Sequence, residues 1–242
     1  SRTASGAGAM KSLRPAVSRK AIIIFTRIPL PGQTKTRLQR ELTPEQSAAA
    51  QTGFLKDVYH TCCLLPHDLF VFYTPGKESA EKALKKILSG EKQKQFYRQQ
   101  GEGLGDKMFR AISFLLGKHY GACVLIGSDI PQMKAFHIEE AFRLLESNDV
   151  VFGPSLDGGY YLVGMKKPHR IVFEEFEEGG GTVLEKAIRL SARANLRCGI
   201  DPPCPDIDEP EELKRLVHQI ATGEEKGCFH TRHFLQKIHW LK

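Results

Sequence analysis

Two cations separated by one threonine, Lys35 and Arg37, end the stretch FTRIPLPGQTKTRL, Phe25 to Leu38. A compact ammonium and a bidentate guanidinium both suit phosphate oxygens. Pro29 and Pro31 stiffen the path to them, and Gly32 lets the backbone turn or come close to another group. Arg27 adds a third cation at the head of the loop. The pattern is neither the GxxxxGK[ST] phosphate loop nor the GxGxxG dinucleotide fingerprint. A surface turn with stray charges has the same spacing. Position favours a phosphate cradle, because the loop directly follows the apolar run AIII.

Acids supply the complementary chemistry. In LIGSDIP, Leu125 to Pro131, Asp129 follows a strand-sized apolar run. A carboxylate there can hold Mg²⁺ against substrate phosphates, since that ion takes one or two carboxylates and leaves other positions for phosphate and water. It can equally cap the helix that follows. In PDIDEPEEL, Pro205 to Leu213, Asp206 and Asp208 precede a helical pattern with Pro210 in its first turn. One of the two is expected to be the N-cap, with Asp208 the better placed, leaving the other as a second metal ligand. Asp157 in GPSLDGGYYLVG, Gly153 to Gly164, marks either a hairpin turn or a substrate contact with room made by its glycines.

Gly101 and Gly103 lie in QQGEGLGDKM, Gln99 to Met108. A glycine-rich helix start attracts anions, and a flexible loop reads the same way. Cys228, His230 and His233 are too closely spaced, and lack a fourth partner, for a zinc site. Neither a GxSxG elbow nor an HExxH motif is present.

These residues need a frame. Apolar strand-sized runs at Ala21–Thr26, Leu69–Tyr73, Gln95–Arg98, Ala122–Ile126, Asp149–Phe152 and Tyr160–Val163 alternate with helical patterns. The helical patterns cover Pro44–Leu65, Glu78–Leu88, Gly105–Leu116, the Ile138–Leu145 segment, Gly181–Ala192 and the Leu213–Ile220 segment. Alternation of this kind predicts an α/β fold, a three-layer α/β/α sandwich with a mostly parallel sheet. Such sheets bind ligands beyond the carboxyl ends of their strands, where Arg27, Asp129 and Asp157 fall. Residues 1–19, opening SRTASGAGAM, read as an expression remnant and a disordered lead-in. Residues 20–227 are expected to form the one main α/β domain, and residues 228–242 a helical extension with Phe234, Ile238 and Leu241 on one side.

Composition narrows the function. The chain has 242 residues with 41% hydrophobic and 26% charged, as soluble globular domains do. No apolar run approaches membrane-spanning length, so no membrane partner is expected. Six cysteines without a CxxC pair read as reduced thiols in a cytoplasmic protein. The formal charge of +7 suits a polyanion or a plain solvated surface. The basic residues are scattered, without aromatic interleaving, which argues against nucleic acid and leaves nucleotide phosphate.

Taken in order, RxPxPGxxKTRL, QxGxxLGxxM, GSDxP, DGGYYLVG and DIDxPEEL resemble the bacterial family DUF2064. Its members are described as nucleotide-diphospho-sugar transferases or GT-A-type glycosyltransferases. The resemblance runs from about Lys20 to Ala221, and five ordered motifs are more specific than any one. The layout is also similar to guanylyltransferases acting on phospholactate and, more distantly, to those of molybdenum-cofactor assembly. The resemblance implies a GT-A type of nucleotide-binding fold. It implies that Lys35 and Arg37 contact nucleotide phosphates and that Asp129, with Asp208 or Asp206, holds Mg²⁺ or Mn²⁺. Two departures stand out. Glu209 and Glu212 replace the familiar Thr and Asp of the late motif, and the DxD triplet of sugar transferases is missing.

The expected activity is Mg²⁺-dependent glycosyl transfer from a nucleotide-diphospho-sugar to a small-molecule acceptor. Lys35, Arg37 and Arg27 neutralise phosphate, Asp129 and Asp208 hold metal, and Asp157 serves the acceptor as base or orienter. Two alternatives remain. One is nucleotidyl transfer from a nucleoside triphosphate to a phosphorylated acceptor with release of pyrophosphate, and the other is a catalytically silent nucleotide-binding domain.

Overall fold

The structure is a computed structural model that describes residues 18–90, 94–174 and 180–242. Most of the N-terminal remnant expected over residues 1–19, namely 1–17, lies outside the described residues.

A sheet of seven strands in the order β3-β2-β1-β4-β6-β5-β7 forms the middle layer. The strands are β1 (Lys20–Arg27), β2 (Asp68–Thr74), β3 (Lys94–Arg98), β4 (Ala122–Ile126), β5 (Val150–Pro154), β6 (Tyr160–Met165) and β7 (Cys198–Ile200). All pairings are parallel except the two made by β6, which runs antiparallel to both β4 and β5. The expected mostly parallel α/β architecture is therefore present. The seventh strand, CGI, was not expected from sequence. The order of connections reverses between β1 and β4, and the crevice beyond such a switch point is where open α/β sheets bind ligands.

Strand residues alternate between two cores. Ile22 and Ile24 of β1 face one, and Ala21, Ile23 and Phe25 face the other. The first core is covered by α1 (Pro44–Cys63), α2 (Glu78–Ile87) and α4 (Ala135–Leu145). The second is covered by α3 (Gly103–Leu116) and α5 (Val183–Arg193). Each fully buried isoleucine contributes about 1.5–3 kcal/mol, so the continuous apolar runs hold the middle strands in place.

Helix α1 starts where its sequence says. Thr43 Oγ1 accepts from Gln46 N, Gln46 Oε1 accepts from Thr43 N, and Pro44 occupies the first turn. Its outer face builds a third core. Ala50 and Phe54 meet Leu38, Ile207, α6 (Pro210–Ala221) and α7 (Phe229–Lys237) there. The helix expected from Phe229 stops at Lys237, and Ile238 and Leu241 pack beside this core from beyond its end. Asp57 of α1, only 6% exposed, accepts from the backbone N–H of His230 and Thr231 and from Thr231 Oγ1. A carboxylate in the middle of one helix thus caps the first turn of another.

Candidate functional site

The opening loop is shaped from within. Gln33 N donates to Leu30 O at 3.1 Å, closing a turn with Pro31 and then Gly32 at φ +76°. That is the residue pattern of a type II turn, where glycine supplies the positive φ. A Cβ at Gly32 would meet nothing within 4 Å, so no group of the protein crowds it, and its positive φ serves the turn. Thr34, nearly fully buried, accepts from Leu30 N and donates to Ile28 O, clipping the loop shut. Lys35 follows in the left-handed region at φ +53°, and a 3-10 turn, Thr36–Arg40, buries Leu38.

The late acids arrive by strand geometry. Ile207 N donates to Asp129 O at 2.9 Å, and the Ile207 side chain is 1% exposed in the outer core. Residues one apart in an extended segment point to opposite sides. With Ile207 turned inward, Asp206 and Asp208 face away from the outer core, Asp208 towards the cavity rim and Asp206 towards a separate crevice. The expected cap at Asp208 is not made. The N-cap position of α6 is Glu209, and Glu212 Oε2 accepts from the backbone N–H of both Asp208 and Glu209. Glu212 thus leaves both aspartate side chains free of capping.

These pieces converge. Lys35 Nζ lies 3.0 Å from Asp129 Oδ2 and 3.5 Å from Asp208 Oδ1, with its side chain only 8% exposed. Arg37 Nη1 donates to Asp208 Oδ2 at 2.8 Å and lies 3.4 Å from Glu209 Oε1. Arg40 pairs with Glu209. Lys35, Asp129, Asp208, Arg27 and Gly103 all line a cavity of about 530 Å³ at the switch point, within the range of ligand pockets. Met108, Leu104, Tyr160 and Leu162 form its apolar side. Burial pushes the Tyr160 phenol up to about 12.

Other expected residues stand apart from that cavity. Gly101, at φ +116°, does not line it; a Cβ there would collide with the Asp106 carboxylate and the Arg110 side chain. Its φ is what favours glycine there, since the two facing side chains end in flexible atoms. Asp157 is the hairpin residue and does not line the cavity. Ser155 N donates to Gly159 O across the β5–β6 turn, and Asp157 Oδ1 accepts from Gly159 N and Ser155 Oγ. Asp157 also hydrogen-bonds Asp206. Burial, then the charges of Asp157 and Asp129, push the Asp206 carboxyl up to about 7. Burial raises Asp157 too, but its bonds from Ser155, Gly159 and Asp206 hold it below the usual carboxylate range. Of the two, Asp206 is the one pushed towards its neutral form and Asp157 the one held ionised.

A second set of residues was not anticipated. Ser128 Oγ accepts from Gln51 Nε2 at 2.8 Å and from Thr26 Oγ1 at 2.9 Å, joining α1, β1 and the Asp129 turn. Gln99 Nε2 donates to Thr26 O and Phe72 O, tying the glycine loop to the ends of β1 and β2. Lys107 lines the cavity as well. Gln51 sits in the small-residue run SAAAQTGF, where only a buried polar residue among apolar helix positions signals it.

The donor set can be tested for a metal ion. Two hard carboxylate oxygens, from Asp129 and Asp208, already converge on one cationic nitrogen, which is the chemistry Mg²⁺ or Mn²⁺ takes. Among the described residues, no group of three or more His, Cys, Asp or Glu side chains is arranged to hold a metal. The two carboxylates fit an ion whose remaining positions are filled by phosphate and water. Asp206, engaged with Asp157, lies against a separate crevice beside Leu156 and Arg215.

Behind the cavity, Tyr161 Oη lies 2.8 Å from Asp201 Oδ2 and from Pro202 O. Asp201 is 1% exposed, and its Oδ1 has no partner. Burial raises its carboxyl to about 7, opposed by the Tyr161 bond and helped by Glu140. A carboxyl raised on folding stabilises the fold below its unfolded value near 4, and that contribution is lost as pH climbs through the folded value near 7. Stability should therefore fall between pH 4 and 8, by on the order of 4 kcal/mol from this one group. Asp201→Asn, which mimics the protonated form, should flatten that fall in denaturant titrations at pH 5 and pH 8; equal slopes would remove Asp201 as the cause.

The comparisons agree with this frame. The DUF2064 family model, "Uncharacterized protein conserved in bacteria", matches residues 61–179. That span includes the glycine loop, GSDIP and DGGYYLVG but not the KTRL loop or the late acids. The 2-phospho-L-lactate guanylyltransferase of Methanocaldococcus jannaschii is 26% identical over 208 residues, covering 84% of this chain and 83% of that protein. A crystal structure from Desulfovibrio desulfuricans G20, provisionally assigned as a nucleotide-diphospho-sugar transferase, superposes with a TM-score of 0.83. It is 29% identical, covering 93% of this chain and 96% of that one. CMP:2-keto-3-deoxy-manno-octonic acid synthetase, solved with CTP, shares the fold at a TM-score of 0.51 and 13% identity, over 85% of this chain and all of that chain. Among the described residues, no helix is long and apolar enough to cross a membrane.

Proposed function

We propose that this chain is a divalent-metal-dependent transferase that takes a nucleotide-diphospho-sugar as donor and moves the sugar to a small-molecule acceptor. One observation carries the reading: Lys35, Asp129 and Asp208, from three distant segments, meet in one cavity at the switch point of the sheet. Cations and convergent acids at one rim suit a pyrophosphate group better than any uncharged ligand. The likeness to the D. desulfuricans structure over nearly the whole chain favours a sugar donor.

The residues divide the work. Lys35 and Arg27 meet the phosphates, and Arg37 holds Asp208 in place until a diphosphate competes for its guanidinium. Asp129 and Asp208 would hold Mg²⁺ or Mn²⁺, which when bound supplies charge stabilisation to the departing diphosphate oxygens. The N-terminus of α3 at Gly103 presents backbone N–H groups to the same cavity. Asp157, held ionised by the bonds from Ser155 and Gly159, takes or orients the acceptor hydroxyl proton. The acceptor oxygen bonds to the anomeric carbon, the carbon–phosphate-oxygen bond breaks, and a nucleoside diphosphate leaves.

A second reading rests on the guanylyltransferase relative, which spans most of this chain. In it a phosphorylated acceptor attacks the α-phosphorus of a nucleoside triphosphate and pyrophosphate leaves. The products separate the two. A screen of nucleotide-sugars and triphosphates with Mg²⁺ or Mn²⁺ should find a donor that raises Tm by about 5–10 °C at hundredfold excess over Kd. Diphosphate release from that donor supports the sugar reading, and pyrophosphate release supports the nucleotidyl reading. Binding without turnover of any acceptor would leave only a silent nucleotide-binding domain.

A further inference from the structure

The phosphate-facing lysine and the metal-facing acids are not waiting for separate ligands. Lys35 Nζ sits between Asp129 Oδ2 and Asp208 Oδ1, at 3.0 and 3.5 Å, so the ammonium occupies the point on which the two carboxylates converge. Its side chain is 8% exposed, whereas the two acids are 33% and 37% exposed. The cation is thus the buried member of the trio. Thr34 and the turn at Gly32 fix the backbone ahead of it, and Lys35 itself holds a left-handed conformation that only a well-determined surrounding sustains in a residue with a side chain.

We propose that Lys35 is an internal placeholder for the metal ion, and that metal and nucleotide bind as a coupled pair because each releases the group the other needs. Resting on the metal assignment above, the reasoning is a matter of charge balance. A divalent ion arriving alone must push an ammonium off two carboxylates and leave it buried without a partner. A diphosphate arriving alone must pull the same ammonium away and leave two carboxylates facing it. When both arrive, the acids receive the metal, the lysine receives the phosphates, and no buried charge is left unpaired. The coupling is reciprocal, as any linkage between two binding equilibria must be. A free protein exposed to millimolar magnesium therefore keeps its own lysine in the site and does not fill it with metal.

The test measures binding, not turnover. Mn²⁺ affinity of the full chain is followed by electron paramagnetic resonance with and without a non-hydrolysable nucleotide-sugar or triphosphate analogue, in wild type, Lys35→Met, Lys107→Met and Asp129→Asn. The placeholder predicts opposite signs in Lys35→Met: metal alone binds about five- to hundredfold tighter than in wild type, while the nucleotide binds weaker in the presence of metal. Lys107→Met, which removes another cavity lysine, should weaken the nucleotide without tightening metal alone. If Lys35→Met leaves metal-alone affinity unchanged or weakens it, while Asp129→Asn still abolishes Mn²⁺ binding, the placeholder idea is overturned and the metal assignment stands. If Mn²⁺ binds no better to wild type than to Asp129→Asn with or without nucleotide, the metal assignment itself falls, and this inference with it.

Discussion

Asp129→Asn is expected to reduce turnover by on the order of a hundredfold or more, the scale of losing one preorganised electrostatic group from an active site. The substitution keeps the shape of the side chain and removes its charge. It lies on the rim, where the carboxylate is 33% exposed, and the backbone carbonyl that receives Ile207 N is untouched. The fold should therefore survive, with circular dichroism and Tm close to wild type. What disappears is one of two carboxylates facing Lys35 and, in the proposed chemistry, one of two protein ligands to the metal. Nucleotide binding in the presence of Mg²⁺ should fall towards its value in chelator. Metal-dependent binding that persists unchanged in this variant would remove Asp129 from the site.

The largest loss of stability is expected at Asp57, which takes no part in that chemistry. Its carboxylate, 6% exposed, receives two backbone N–H groups and the Thr231 hydroxyl at 2.6–2.9 Å. Asp57→Ala strips three donors of their partner in a place water barely reaches. A loss of about 3 kcal/mol follows from charged hydrogen bonds of this kind. Urea titration measures it, and amide exchange should show α7 opening well before the sheet. Asp57→Asn, which retains part of the bonding, should lie between the two. A variant as stable as wild type would mean that α7 is held by its apolar contacts alone.

Much of this architecture is readable before any coordinates. The runs AIIIF and ACVLI are buried on both faces, so they are continuously apolar, and that pattern marks inner parallel strands. The strand CGI is not readable, since it has three residues, includes a glycine and leaves Ile200 half exposed. The ordered motifs bring the right charges together, and Lys35, Asp129 and Asp208 do meet. Roles within a motif are harder. In DIDEPEEL the capping position lies at Glu209, one residue past the expected aspartate, because Ile207 must face the core and this sets the phase of its neighbours. Gly101 looks like a ligand loop, but its φ of +116° favours glycine whatever surrounds it, and the side chains against it, Asp106 and Arg110, lie five and nine residues further on, where no local pattern states the contact. Gln51 and Thr34 act through partners, Ser128 and the loop backbone, which are paired only in three dimensions.

The bond from Ile207 to the Asp129 carbonyl also has a bearing on how the molecule comes into being. The cation from residue 35 and the acid from residue 129 have both been made long before residue 208 is added. The third member, Asp208, is held in place by an isoleucine whose seat is built from Leu213, Leu216 and Leu235. A nascent chain can thus assemble most of its sheet and still lack a working pocket, which matures only once the segment from Ile207 to Leu235 has followed.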